Sequence, residues 1–119
     1  MFAAAKKLNN LTAFIDVNGL QIDGTVEEVN SPLPLDEKFA AFGWNVIVIY
    51  GHDMLAIEAA VAAAEQETAR PTAIIMKTVK GKGVSFMENS VAWHGSAPND
   101  EQYETAMQEL GALLAKLEA

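Results

Sequence analysis

Three short segments carry almost no polar positions: residues 11–17 (LTAFIDV), 44–50 (WNVIVIY) and 72–77 (TAIIMK). Each is rich in β-branched side chains and bounded by Asn, Gly or Pro, which predicts strands. Strands without a polar face are buried on both sides, the habit of a parallel sheet covered by helices. The intervening segments change period. Residues 35–42 read as a short helix ended by Gly43, and residues 53–69 as a longer one capped by Asp53 and stopped at Arg70-Pro71. A last helix opens with Asn99 and has Gln102 three positions on, a capping-box arrangement, and Tyr103, Met107, Leu110, Leu114 and Leu117 follow the spacing of a core-facing stripe. Residues 1–9 have the Ala and Lys content of a helix with no capping residue before it. The expectation is an α/β fold: a parallel sheet of about three strands with helices on both faces, in the order α-β-α-β-α-β-α. So narrow a sheet leaves its outer strands with unpaired backbone groups unless another chain, or chain missing upstream, covers them.

Composition narrows the function classes. The chain has 119 residues, 50% of them hydrophobic and 20% charged, with no cysteine and a formal net charge of −8. That bounds it to one domain at most, and the shortage of basic residues argues against a general nucleic-acid surface. Lack of cysteine removes disulfides, thiolate metal sites and cysteine nucleophiles together. The longest charge-free apolar run, within residues 39–50, is too short to cross a bilayer, and the first residues lack a secretory pattern. A soluble cytoplasmic protein is the expectation, with no membrane partner.

Three segments could carry chemistry. Residues 16–24 (DVNGLQIDG) lie at the C-terminal end of the first predicted strand, where open α/β sheets bind ligands. Asn18 with a nearby backbone carbonyl offers hard oxygen ligands for Mg²⁺ or Ca²⁺, although Asn18-Gly19 and Asp23-Gly24 read equally as plain turns. A calcium EF-hand fails by register, since Leu20 stands where an oxygen is required and Gln21 where the turn Gly belongs. Residues 77–83 (KTVKGKG) interleave lysine with glycine, which suits a small phosphate ligand as well as it suits a solvated loop; the P-loop pattern is absent. Trp93-His94-Gly95 offers a proton carrier beside a glycine, or a structural histidine in a loop. His52, in Gly51-His52-Asp53, reads as the turn into the following helix, and no Ser-His-Asp set or carboxylate pair is legible. Asn18, Lys80 and His94 all follow predicted parallel strands and are expected at one sheet edge.

Taken in order, residues 10–18, Leu20, Asp23-Gly24, residues 41–44, Gly51-His52-Asp53, Pro71-Thr72, residues 77–83 and Trp93-His94-Gly95 resemble the N-terminal section of transketolases. The resemblance covers nearly the whole chain. It implies a thiamine diphosphate-binding module, incomplete because the family's upstream Gly-Asp-Gly motif has no counterpart among the 17 residues before Asn18. It further implies that Asn18 and Leu20 hold Mg²⁺, through a side-chain oxygen and a backbone carbonyl, and that Asn18, Lys80 and His94 contact thiamine diphosphate. His94 would also be catalytic, assisting proton transfer at the substrate. The activity implied is transfer of a two-carbon ketol unit between sugar phosphates. The chain would be inactive alone and would form a hetero-oligomer with a partner supplying the Gly-Asp-Gly half and the pyrimidine-binding domain. The alternative is a truncated, non-catalytic remnant or interaction module with the same partial fold.

Overall fold

The computed structural model describes residues 1–118. They form two compact units, the first made of Met1–Val17 and Asn30–Thr78, the second of Asn18–Val29 and the chain from Val79 onward.

The first unit contains α1 (Phe2–Ala5), β1 (Thr12–Val17), α3 (Leu35–Ala41), β4 (Asn45–Tyr50), α4 (Met54–Gln66) and β5 (Thr72–Lys77); the second contains β2 (Leu20–Gln21), β3 (Gly24–Thr25), α2 (Val26–Val29), a 3-10 turn (Val91–His94) and α5 (Asp100–Leu117).

In the first unit the sheet is parallel with strand order β1-β5-β4, in register from Thr12, Thr72 and Asn45 to Val17, Lys77 and Tyr50. Strand β5 takes the centre: Ala73, Ile74 and Ile75 are buried, Ile74 completely. Burying residues of this size is the main source of stability in so small a sheet. Helix α4 lays Ala60 and Ala64 against Ile74, with Ile47, Ile49 and Met76 around them. Two alanines on the inner face let the helix backbone come close to the branched strand residues. Asp53 caps α4 as expected, its carboxylate accepting from the Leu55 and Ala56 amides at 3.0 and 3.1 Å. At the other end of the sheet Asn45 donates to the buried Thr72 hydroxyl at 3.2 Å, so the polar atom in the core is satisfied.

The α/β class and the three-stranded parallel sheet agree with the sequence. Burial of every strand on both faces does not. Only β5 has a continuous buried run, Thr72 to Ile75, before its exposed end at Lys77, whereas β1 and β4 alternate, with Phe14 and Tyr50 each 50% exposed. The reason is position: a central strand is shielded by neighbours on both edges, and an outer strand in a three-stranded sheet by one. Residues 1–9 yield only one helical turn, α1, with none of its residues buried.

The second unit is built differently. A hairpin of β2 and β3, too short to read from sequence, leads into α2. There the Glu28 carboxylate accepts from the Thr25 hydroxyl at 2.8 Å and the Thr25 amide at 3.2 Å, which holds its pKa below the ordinary value. Helix α5 starts with the expected capping box, Asn99 and Gln102 exchanging side chain to backbone bonds of 2.9 Å. Its stripe is not core-facing: Tyr103, Met107, Leu110, Leu114 and Leu117 are all exposed, and of the helix only Ala106 is buried. Periodicity shows which face of a helix is apolar; what covers that face is a separate matter.

Candidate functional site

All four residues singled out from sequence, Asn18, Leu20, Lys80 and His94, belong to the second unit. They occur as two hydrogen-bonded groups.

The first group is the corner after β1. The Asn18 side-chain oxygen accepts from the Leu20 amide at 2.9 Å, closing an Asx turn around Gly19, whose φ of +77° suits glycine. The Gly19 carbonyl then accepts from the Val26 amide at 3.0 Å, which locks the corner to the start of α2. The turn reading of Asn18-Gly19 is thus realised. It does not use up the chemistry, because a carboxamide oxygen has two lone pairs and the Leu20 amide takes one. Two uncharged hard-oxygen donors, the Asn18 carboxamide and the Leu20 carbonyl, fall within three residues. That donor type fits Mg²⁺ but is too few to complete its shell. Among the described residues no cluster of three or more His, Cys, Asp or Glu could hold a metal.

The second group is the lysine loop after β5. It is a closed ring: the Asn89 amide donates to the Lys80 carbonyl at 3.0 Å, with further backbone bonds from Lys82 to Val79 at 3.2 Å and from Val84 to Gly81 at 3.2 Å. Gly81 has φ +71°, and a Cβ placed on it would lie 2.5 Å from the Met87 carbonyl oxygen, so the ring closes only over glycine. Glu88 braces the inside, accepting from the Gly83 amide at 3.0 Å and pairing with the Lys82 ammonium at 3.4 Å. Lys80 and Lys82 are therefore not equivalent. Lys82 is paired, whereas no carboxylate among the described residues forms a salt bridge with Lys80.

Two clamps grip this ring at successive residues, through contacts that the sequence did not reveal although it had singled out Trp93. Glu109 of α5 holds Ser85, its Oε2 accepting from the Ser85 amide at 2.6 Å and its Oε1 from the Ser85 hydroxyl at 2.5 Å. Trp93 holds Phe86, donating its indole N–H to the Phe86 carbonyl at 3.0 Å with the rings 5.4 Å apart. Trp93 immediately precedes His94, the exposed last residue of the 3-10 turn. The structure thus joins the Lys80 loop to the His94 turn through one indole. Ser85 and Glu109 are 24 residues apart, and only a helical reading that phased α5 onto the loop could have paired them.

In the first unit, Asp16 accepts from the Thr78 hydroxyl at 2.7 Å and ties the ends of β1 and β5 together. His52 lies in the turn before α4, its ring 5.4 Å from Tyr50, and Gly51 is pressed against Thr78 and Met76, as a turn into the helix requires.

Comparison with known proteins identifies the family. The family profile described as "Transketolase, thiamine diphosphate binding domain" matches residues 1–116. The chain is 42% identical over 110 residues to SqwG, a 6-deoxy-6-sulfo-D-fructose transketolase subunit of Clostridium sp. (strain MSTE9), covering 92% of this chain and 40% of that protein. It is 43% identical over 112 residues to a subunit of the apulose-4-phosphate transketolase of Phocaeicola vulgatus, covering 94% and 40%. The crystal structure of transketolase from Campylobacter jejuni superimposes with a TM-score of 0.85 at 32% identity, over 92% of this chain and 17% of that one. The chain spans about two-fifths of the length of the two subunits it matches. With the profile matching almost end to end, the chain belongs to the transketolase family, within its thiamine diphosphate-binding section.

Proposed function

We propose that this chain is a component of a transketolase-type enzyme that moves a two-carbon ketol unit between sugar phosphates with thiamine diphosphate and Mg²⁺. The observation that carries the proposal is the family match combined with the partial span: the relatives at 42% and 43% identity are named as transketolase subunits, and the chain covers 40% of each. Residues 1–119 are accordingly one portion of a diphosphate-binding module, acting in the cytoplasm.

Within that reading, Asn18 Oδ1 and the Leu20 carbonyl hold Mg²⁺, and the remaining protein ligand comes from the Gly-Asp-Gly half carried by a partner chain. The Lys80 ammonium offsets diphosphate charge, supported by a ring that pairs Lys82 internally and, among the described residues, leaves Lys80 without a salt bridge. The His94 imidazole exchanges a proton with a substrate hydroxyl oxygen, a task suited to a ring whose nitrogens can both donate and accept. When bound, the cofactor supplies the electron-accepting chemistry for carbon–carbon bond cleavage and formation. The chain's own residues bind, orient and move protons. The pyrimidine ring is gripped by a domain of the partner, so the active form is a hetero-oligomer and the isolated chain is inactive.

Reconstitution tests this. Mixed with a partner carrying the Gly-Asp-Gly half and the pyrimidine-binding domain, with cofactor and Mg²⁺, the chain should give ketol transfer from a ketose phosphate to an aldose phosphate; neither chain should do so alone. No bound partner in the source cell, together with no transfer on mixing, overturns the proposal.

The open outer edges of β1 and β4 favour a second reading, a non-catalytic remnant or interaction module. Calorimetry on the isolated chain separates the two further, because micromolar binding of thiamine diphosphate with Mg²⁺ is not expected of a remnant.

A further inference from the structure

We infer that Glu109 is a positioning residue for the Lys80 loop: from α5 it holds Ser85 by two bonds and fixes the ring in the form that presents the Lys80 ammonium.

The inference rests on the diphosphate role proposed for Lys80 and on four observations within the second unit. Both Glu109 oxygens are engaged, at 2.6 and 2.5 Å, and both donors come from the same residue, Ser85. A carboxylate gripping a backbone amide and a hydroxyl together restrains that residue's orientation as well as its distance, and bonds to a charged acceptor are the stronger kind. The next residue on α5, Leu110, lies against Gly83, where an added Cβ would sit 3.2 Å from it, so helix and loop meet along a line. The remaining ring closures are local, between residues 79 and 90. Finally, Trp93 holds the adjacent Phe86 from the opposite side in sequence, so the grip at Ser85 also bears on the turn that carries His94.

The charged groups around Glu109 define its pH behaviour. Lys82 and Glu88 from the loop and Lys116 from α5 line the same shallow cleft. The Ser85 hydroxyl and then the Ser85 amide hold the Glu109 carboxyl below the ordinary carboxylate range, against smaller upward pushes from desolvation and then from Glu88. A carboxyl whose folded pKa is depressed gives a bond present above its ordinary value and lost as the pH falls through the folded value. The clamp is therefore in place at neutral pH and released in acid.

The test uses the full chain, labelled with ¹⁵N, and inorganic pyrophosphate with Mg²⁺ as the probe. Glu109→Gln, which keeps the shape and removes the charge, should speed exchange of the Ser85 amide on the order of tenfold and weaken pyrophosphate binding by about the same factor. Ser85→Thr keeps hydroxyl and amide and should behave as wild type, whereas Ser85→Ala should fall between. In the wild type the Ser85 amide resonance should titrate in acid, and in Glu109→Gln it should not. Unchanged exchange and unchanged titration in Glu109→Gln, with helical content intact by circular dichroism, overturn the inference. So does a Ser85→Thr variant as impaired as Ser85→Ala. If the wild-type chain itself shows no response to pyrophosphate at the Lys80 loop, the diphosphate reading is what fails, and the exchange and titration of Ser85 still decide the role of Glu109.

Discussion

The two units of this chain are held together by different physics. The first has a buried apolar centre, Ile74 under Ala60 and Ala64, with strands in full register on both sides of β5. The second has little buried apolar surface beyond Val26, Val84 and Ala106, and relies on turns, caps and side-chain clamps: the Asx turn at Asn18, the closed ring at Lys80, the grips of Glu109 and Trp93. Apolar packing is non-directional and tolerates shape changes only at a cost in volume, whereas hydrogen-bonded loops fix particular atoms in particular directions. All four candidate site residues fall in the second unit. The contrast pairs a scaffold that supplies stability with a loop assembly that supplies aim.

The first unit is the more sensitive to loss of buried volume. Ile74→Ala removes a fully buried side chain from the central strand and should destabilise the first unit by about 2–5 kcal/mol. Urea unfolding followed by far-UV circular dichroism measures it, and a loss under 1 kcal/mol, roughly that of a single methyl group, would mean that β5 is not the core. In the second unit the corresponding strike is at backbone geometry. Gly81→Ala puts a side chain at φ +71° and against the Met87 carbonyl, at a cost of at least about 1–2 kcal/mol. Amide exchange should then accelerate across residues 80–89 while Ala73, Ile74 and Ile75 stay protected. Loss of protection in both segments together would show that the units unfold as one, contrary to the distinction drawn above.

What could be read from sequence divides along the same line. The strands, the Asp53 cap and the Asn99–Gln102 box depend on neighbours a few positions away, and each stands where the pattern put it. Strand order depends on which segments meet across the chain, so β5 at the centre was not legible; the apolar run of β4 is in fact the longer of the two. Lysine and glycine signalled the Lys80 loop, but composition could not distinguish Lys82, paired with Glu88, from Lys80. Ser85 and Glu109 escaped notice because a hydroxyl and a helix-surface carboxylate carry no motif until folding brings them together, and Trp93, singled out beside His94, gave no sign of its bond to Phe86.

The outer face of α5 is the region least sensitive to substitution. The α5 stripe has the spacing of a core face, yet Leu114 is 55% exposed and Leu117 78% exposed. If folding of this chain alone leaves the stripe uncovered, Leu114→Ser loses almost no burial. The change then amounts to a difference in helix propensity, about 0.5 kcal/mol or less. Thermal unfolding of dilute protein should barely move. The same substitution measured at high protein concentration discriminates sharply: a destabilisation that grows with concentration would mean that copies of the chain cover the stripe, since association stabilises the folded form by mass action. A shift near zero at every concentration leaves α5 held, within this chain, by its loop-facing side, through Ala106 and Glu109, with Leu110 at the border between that side and the stripe.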